Sequence, residues 1–205
     1  MADSFEAARV LPLERVHNFR DYGGYPISGG ARVRAKYLWR SGQHFDATES
    51  DLESIHALRL ATVIDLRSDS ERRMAPCRRH PEFAAQVLSA SGEGHVRPPH
   101  VAAARIVSTV AEAHEAMQRT YRRLPFGAGL LDGLRLYFRA LTADAGASLV
   151  HCFAGKDRTG IAAAMLHHVL GVHEDDILED YLLTNTAGDV EARIADGAAT
   201  IRHPV

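Results

Sequence analysis

At 205 residues, with 46% hydrophobic and 24% charged side chains, the chain suits one globular domain with a full core and gives no sign of two. A formal net charge of −2 argues against a general nucleic-acid or membrane-surface binder, which would carry a basic excess. Two cysteines, Cys77 and Cys152, are too few for a disulfide framework, and neither a leader-like start nor an apolar run of membrane-spanning length is present, so the expectation is a cytoplasmic protein without integral membrane association.

In chain order, short apolar runs at residues 37–40, 61–66, 84–88 and 148–151 predict strands. Thr48 followed by Asp51 is a capping signal for a helix to about residue 58. Residues 91–101, with Gly92, Gly94, Pro98 and Pro99, predict an excursion, and Ile106, Val110, Ala113, Met117 and Tyr121 carry helical spacing through 105–124, where Pro125 ends it. Together, residues about 91–125 form the expected helical lid, an insertion in a single domain of residues 1–205. A helix over 130–142 leads to the strand at 148–151, another spans 159–170 with Gly171 as its C-cap, and two more are expected over 175–183 and 189–201. Strands alternating with helices give an α/β fold, a central mostly parallel sheet flanked by helices, with ligands at the carboxyl edge of its strands.

The chemistry concentrates at residues 151–160, His-Cys-Phe-Ala-Gly-Lys-Asp-Arg-Thr-Gly, between the strand at 148–151 and the helix that follows. One thiol and one guanidinium lie six residues apart across a glycine-containing loop. Backbone amides of Phe153, Ala154, Gly155, Lys156, Asp157 and Arg158 can converge on one anion, aided by the helix N-terminus, and Arg158 can grip two of its oxygens through its planar fork. The same cationic setting favours Cys152 as a thiolate. Thiolate, cradle and fork describe a phosphate monoester hydrolase working through a cysteinyl-phosphate. Gly155 and Gly160 allow close backbone approach. Thr159 is placed to donate a hydroxyl hydrogen bond to Cys152. His151, one residue before the nucleophile, points to the other side of the strand and supports the loop.

Cys-x5-Arg with His before and Thr-Gly after resembles the cysteine-dependent protein phosphatases. The full string is similar to the atypical bacterial tyrosine and lipid phosphatases typified by protein-tyrosine phosphatase B. So are Asn18-Phe19-Arg20-Asp21, Leu38-Trp39-Arg40-Ser41, Val63 to Ser68 with Glu71-Arg72, and Asp180-Tyr181-Leu182 with Asn185. The match runs from about Asn18 to Asn185, poorly over 89–128. The resemblance implies a phosphatase fold, no cofactor and no metal. It implies substrates that are phosphotyrosine proteins, with phosphoserine, phosphothreonine or phosphoinositides as further ones; some relatives are exported without a cleavable leader.

Many such enzymes take their general acid from a separate loop, but the equivalent stretch after residue 88 has only Glu93, between flexible glycines. Asp157 is the better assignment, because like charge from the phosphate and thiolate favours the protonated form that a donor needs. Lys156 beside Arg158 would suit a headgroup with more than one phosphate. Arg20, Asp21, Arg40, Asp65 and Arg67 are expected to brace the loop from behind. A nucleotide-binding Gly-x4-Gly-Lys-Ser/Thr frame and the common zinc-ligand spacings are absent from the sequence, and a sulfurtransferase would not need the Arg-Thr-Gly continuation. The competing class is a catalytically silent phosphate-binding domain, which intact Cys152 and Arg158 speak against.

Overall fold

The structure is a computed structural model that describes residues 9–91 and 109–188. Five strands, β1 (Arg20–Asp21), β2 (Leu38–Ser41), β3 (Thr62–Asp65), β4 (Gln86–Ser89) and β5 (Ser148–His151), form one sheet in the order β1-β2-β5-β3-β4. Only the β1–β2 pair is antiparallel; β2, β5, β3 and β4 run parallel. β5 is central, and its last residue, His151, is level with Ser41 of β2 and Asp65 of β3. Three parallel strands therefore end together, and the loops leaving them meet at one carboxyl edge.

Helices cover both faces: α1 (Glu49–His56), α2 (Asp69–Met74), α3 (Val110–Arg123), α4 (Ala128–Ala143), α5 (Asp157–Leu170), α6 (Glu174–Leu182) and the short α7 (Thr184–Ala187), with a 3-10 turn at Leu124–Phe126. The pleat sorts the core into two layers. Val63 and Leu149 face the α1 side, packing with Trp39, Leu52 and Ile55, whereas Ile64, Val150 and Cys152 face Leu134, Tyr137, Ala162 and Ala163 of α4 and α5. Each fully buried large aliphatic side chain contributes about 1.5–3 kcal/mol, so these layers fix the strand register.

Most expected elements form. The Thr48–Asp51 capping box is complete, and Gly171 closes α5 in the left-handed conformation at φ 79°. Four readings change. The strand expected at 84–88 lies at Gln86–Ser89 and is an exposed edge rather than a buried run, because its outer side has no neighbour in the sheet order. The helix expected from 159 begins at Asp157, so Asp157 and Arg158 occupy its first turn. Ser68 and Glu71 form a second capping box, starting the unexpected α2. Arg20 and Asp21, read only as polar support, pair with Arg40 and Trp39 as a two-residue strand. Of the expected lid, α3 and the turn containing Pro125 are described, as is residue 91; residues 92–108, with Glu93, and the helix expected over 189–201 lie outside the described residues.

Candidate active site

Cys152 follows the last residue of β5, is 2% exposed, and opens the loop to α5. Outward-turned carbonyls shape that loop. Phe153 O accepts from Gln43 N at 3.0 Å, Ala154 O from Asn18 Nδ2 at 3.3 Å, and Gly155 O from both Asn18 Nδ2 and Arg40 Nη2 at 2.9 Å. With three successive carbonyls drawn away, the N–H groups of residues 154–158 donate to no acceptor among the described residues. No side chain caps the N-terminus of α5, in contrast to the capping boxes of α1, α2 and α3. Unpaired amides and the positive end of a helix dipole thus share one concavity, an arrangement suited to an oxyanion.

Glycine is required at the turn. Gly155 sits at φ 67°, and a Cβ there would lie 2.4 Å from the Ser41 carbonyl carbon and oxygen. At Gly160 a Cβ would meet the Tyr181 ring at 2.9 Å.

Arg158 is held in place by Glu71. Nη1 donates to Glu71 Oε2 at 2.6 Å and to Leu66 O at 3.1 Å, and Nη2 donates to Glu71 Oε1 at 2.7 Å. This uses the end-on edge of the guanidinium. Nε and the second Nη2 hydrogen take no partner among the described residues, which leaves one two-pronged edge for phosphate oxygens. Burial works against the Arg158 charge, but the Glu71 hydrogen bonds and the nearby Cys152 sulfur outweigh it and raise its pKa. Glu71, pushed up by burial, is pulled below its ordinary value by Arg158.

The bracing residues separate into direct and indirect supports. Arg40 reaches the loop itself. Arg20 acts through Asn18, whose Oδ1 accepts from Arg20 Nη1 while its Nδ2 holds the loop carbonyls. Both arginines converge on Asp180, which also lies 3.7 Å from Arg9. Burial and the neighbouring Arg40 lower the Arg20 pKa to about 9, against the pull of Asp180. Asp65 forms a fork with Arg67 at 2.8–3.2 Å and stands 3.7 Å from His151 Nε2, so this pair supports the strand end below the nucleophile. Burial drives His151 down to about 4, against the pull of Asp65, so it is neutral near pH 7. Burial pushes Asp65 up, His151 and Arg67 pull it further down, and with His151 neutral the Arg67 fork is the operative partner near pH 7.

Two expectations fail. Asp21 does not brace the loop; its carboxylate accepts from Gly23 N at 2.7 Å and Lys36 N at 2.5 Å, closing a turn at the far side of β1. Thr159 is fully buried, but its Oγ1 makes no hydrogen bond among the described residues, so the expected bond to Cys152 is not formed. Thr159 belongs to the first turn of α5 rather than to the loop, and its side chain is buried there.

Asp157 and Lys156 lie on the outer rim. Asp157 Oδ1 accepts a hydrogen bond from Tyr121 Oη of α3, and Tyr121 Oη is 3.2 Å from Tyr181 Oη. Burial, Asp157 and Tyr181 raise the Tyr121 pKa, which keeps it a phenol donating to the carboxylate. Lys156 Nζ is 3.8 Å from Asp157 and 5.9 Å above the Tyr121 ring. Tyr121, Asn18, Glu71 and Asp180 were not singled out as site residues from sequence, although the Ser68-x-x-Glu71 spacing is visible there.

Comparison with known proteins places the chain in a family. Over 188 residues the chain is 38% identical to a protein of Cupriavidus necator named for tyrosine-protein phosphatase activity, covering 90% of this chain and 66% of that one. It is 28% identical to the triple specificity protein phosphatase PtpB of Mycobacterium tuberculosis, covering 93% and 74%. The chain thus spans just under two thirds of the first relative's length. Among solved structures, TpbA of P. aeruginosa aligns with a TM-score of 0.39 at 17% identity, covering 87% of this chain and 89% of that one. The tyrosine phosphatase family model matches residues 11–203, and the chain belongs to that family.

Proposed function

We propose that the protein hydrolyses phosphate monoesters through a cysteinyl-phosphate, with phosphotyrosine in proteins as the main substrate. The observation that carries this reading is the loop of residues 152–158: a buried thiol at its base, carbonyls turned outward onto Gln43, Asn18 and Arg40, and Arg158 fixed by Glu71 with one edge left over. Cys152 Sγ attacks phosphorus as the bond to the leaving oxygen breaks, and Asp157 delivers a proton to that oxygen. Water then attacks the thiophosphate, the P–S bond breaks, and Asp157 recovers a proton as inorganic phosphate forms. The loop amides and Arg158 stabilise the equatorial oxygens in both steps. Thr159 has no part in this scheme.

Phosphotyrosine is favoured over a polyphosphorylated lipid headgroup by Lys156. The second cation that such a headgroup would want sits beside Asp157 and over the Tyr121 ring. The family name and the relatives named as tyrosine or triple specificity phosphatases support the same substrate class. The reading is tested by turnover of phosphotyrosine, phosphothreonine and soluble phosphoinositide substrates by the wild type and Cys152→Ser, with acid-quench trapping of phosphoenzyme. Expected are phosphotyrosine preference, a trapped phosphate on Cys152 and no turnover by the variant. Equal rates for both proteins would leave only phosphate binding, and a phosphoinositide preference would make the lipid activity primary.

A further inference from the structure

One well-formed, partly enclosed cavity lies away from Cys152. On the α1 face of the sheet, a half-enclosed space of about 250 Å³ lies between α1 and the segment leading to β4, walled by Leu52, Ile55, Val63, Phe83, Ala85 and Leu149. Its walls are apolar, and its polar lining is mainly cationic. Arg59, Arg78 and Arg79 line it with Glu82, His44, His56 and His80; Arg78 is engaged by Glu49 Oε1 and Ala47 O, so Arg59 and Arg79 are the lining guanidinium groups with no carboxylate partner among the described residues. An apolar interior with a surplus of guanidinium groups matches a small organic anion: one carboxylate on a body about the size of a phenyl ring.

One wall residue reaches the nucleophile loop. His44 is 1% exposed, lines the cavity, and stacks on His151 with ring centroids 5.4 Å apart. Arg79 Nη1 lies 3.3 Å from His44 Nδ1, and arginine can only donate, so Nδ1 accepts. Burial holds His44 well below its ordinary pKa, so the neutral ring carries its proton on Nε2 and donates to Ser41 Oγ at 3.0 Å. Ser41 Oγ donates onward to Gly42 O at 2.8 Å, and the next residue, Gln43, donates its N–H to Phe153 O. The relay runs from the cavity's arginine to the carbonyl after Cys152. An anion on Arg79 would withdraw that guanidinium from Nδ1 and free His44 to change tautomer or turn.

We propose that this cavity is a second ligand site for a small apolar carboxylate, bound through Arg79, and that its occupancy is transmitted to the Cys152 loop through His44. The transmission rests on reading Cys152 as the nucleophile; the binding does not. The probe is 3-phenylpropionate, with 3-phenylpropanol as its uncharged counterpart. Binding is measured by ligand-detected NMR on the wild type, Ala85→Leu, which fills the cavity, and Arg79→Met, which keeps an unbranched stem but removes the guanidinium that lies over Phe83. Folding of each variant is checked by thermal melt. Transmission is read without turnover, as the rate of Cys152 alkylation by iodoacetamide followed by peptide mass spectrometry.

The acid binds the wild type at least about tenfold more tightly than either variant or than the alcohol binds the wild type, a charge-assisted contact's usual margin. Saturating acid changes the Cys152 alkylation rate about fivefold in the wild type and leaves Ala85→Leu unmoved. Undetectable binding to the wild type, or binding to both variants as tight as to the wild type, overturns the site. Loss of binding when orthovanadate occupies the Cys152 loop, in place of a graded change in affinity, places the probe in the active site and overturns it too. Binding at the cavity with an unchanged alkylation rate overturns the transmission, and a failure of turnover alone bears on the phosphatase reading instead.

Discussion

Glu71 Oε2 serves two helices at once: it accepts from Ser68 N at 2.8 Å, completing the capping box of α2, and from Arg158 Nη1 at 2.6 Å in the first turn of α5. The carboxylate is buried and fixed by its own backbone before it meets the guanidinium, so the orientation of Arg158 is set by α2 rather than by substrate. Such pre-organisation spares the cost of ordering an arginine during the reaction. Glu71→Gln keeps the size and the capping acceptor but breaks the fork. Phosphotyrosine turnover, as kcat/KM, falls by about one to two orders of magnitude, with a parallel loss of vanadate affinity. Ser68→Ala loses only the hydroxyl side of the cap, about 1 kcal/mol of stability, and little turnover. Equal damage from both would show that α2 matters only as structure.

Tyr121 ties the rim helix α3 to Asp157 through one phenolic hydrogen bond. If Asp157 protonates the leaving group, its loss matters only where that group is poor. Asp157→Asn therefore slows phosphothreonine peptide hydrolysis by about 10²–10⁴-fold while p-nitrophenyl phosphate turnover changes far less. Tyr121→Phe leaves the carboxylate in place but untethered and produces the same leaving-group pattern at about tenfold or less. Steady-state rates across a leaving-group series check both, and a uniform loss for all substrates would remove Asp157 from the acid role.

The turn at Gly155 carries the tightest steric demand in the site, with backbone 2.4 Å from a hypothetical Cβ and a positive φ. Gly155→Ala must either move the Ser41–Gly42 backbone or flatten the loop. The strain of a non-glycine residue there is about 1–3 kcal/mol before any clash, and displacing the amides by an ångström costs about a hundredfold in rate. A folded variant that loses at least about 1–3 kcal/mol of stability and at least about a hundredfold in turnover is expected, measured by urea unfolding and phosphotyrosine hydrolysis. Retained turnover would show that the cradle tolerates another path.

Local signals were legible in the sequence, and distant partnerships were not. The caps at Thr48 and Gly171, the strand-loop-helix around Cys152 and the opposite facing of His151 and Cys152 depend on neighbours a few residues apart, and all form. Arg158 and Glu71 are 87 positions apart, so only the tertiary fold joins them. The Ser68-x-x-Glu71 spacing announces a helix start but not that its glutamate has a second partner. Asn18 is the same kind of case: its left-handed backbone at φ 61° and its reach to loop carbonyls 136 and 137 positions away have no local signature. Asp21 and Thr159 misled in the opposite sense. Polar residues beside a motif were read as serving it, whereas one closes a turn and the other is buried without a bond.

His151 supplies a stability signal separate from catalysis. Its folded pKa of about 4 lies below the usual value of 6.5, so between those limits the unfolded chain binds the proton and the folded one does not. Stability from this group is complete above about pH 6.5 and is lost progressively as the pH falls toward 4, by an amount on the order of 3 kcal/mol for a shift of this size. The ion-paired carboxylates Asp65, Asp180 and Glu71 have depressed values, so their contributions persist through most of that window and fade below it. Urea midpoints between pH 7 and 4.5 should therefore fall steeply in the wild type. In His151→Gln, which keeps a polar side chain but cannot titrate, the same stretch should be flatter, even if the whole curve sits lower. Parallel slopes for the two proteins would mean that another group carries the proton, with His44, stacked on His151 and likewise held neutral by burial, the next to substitute.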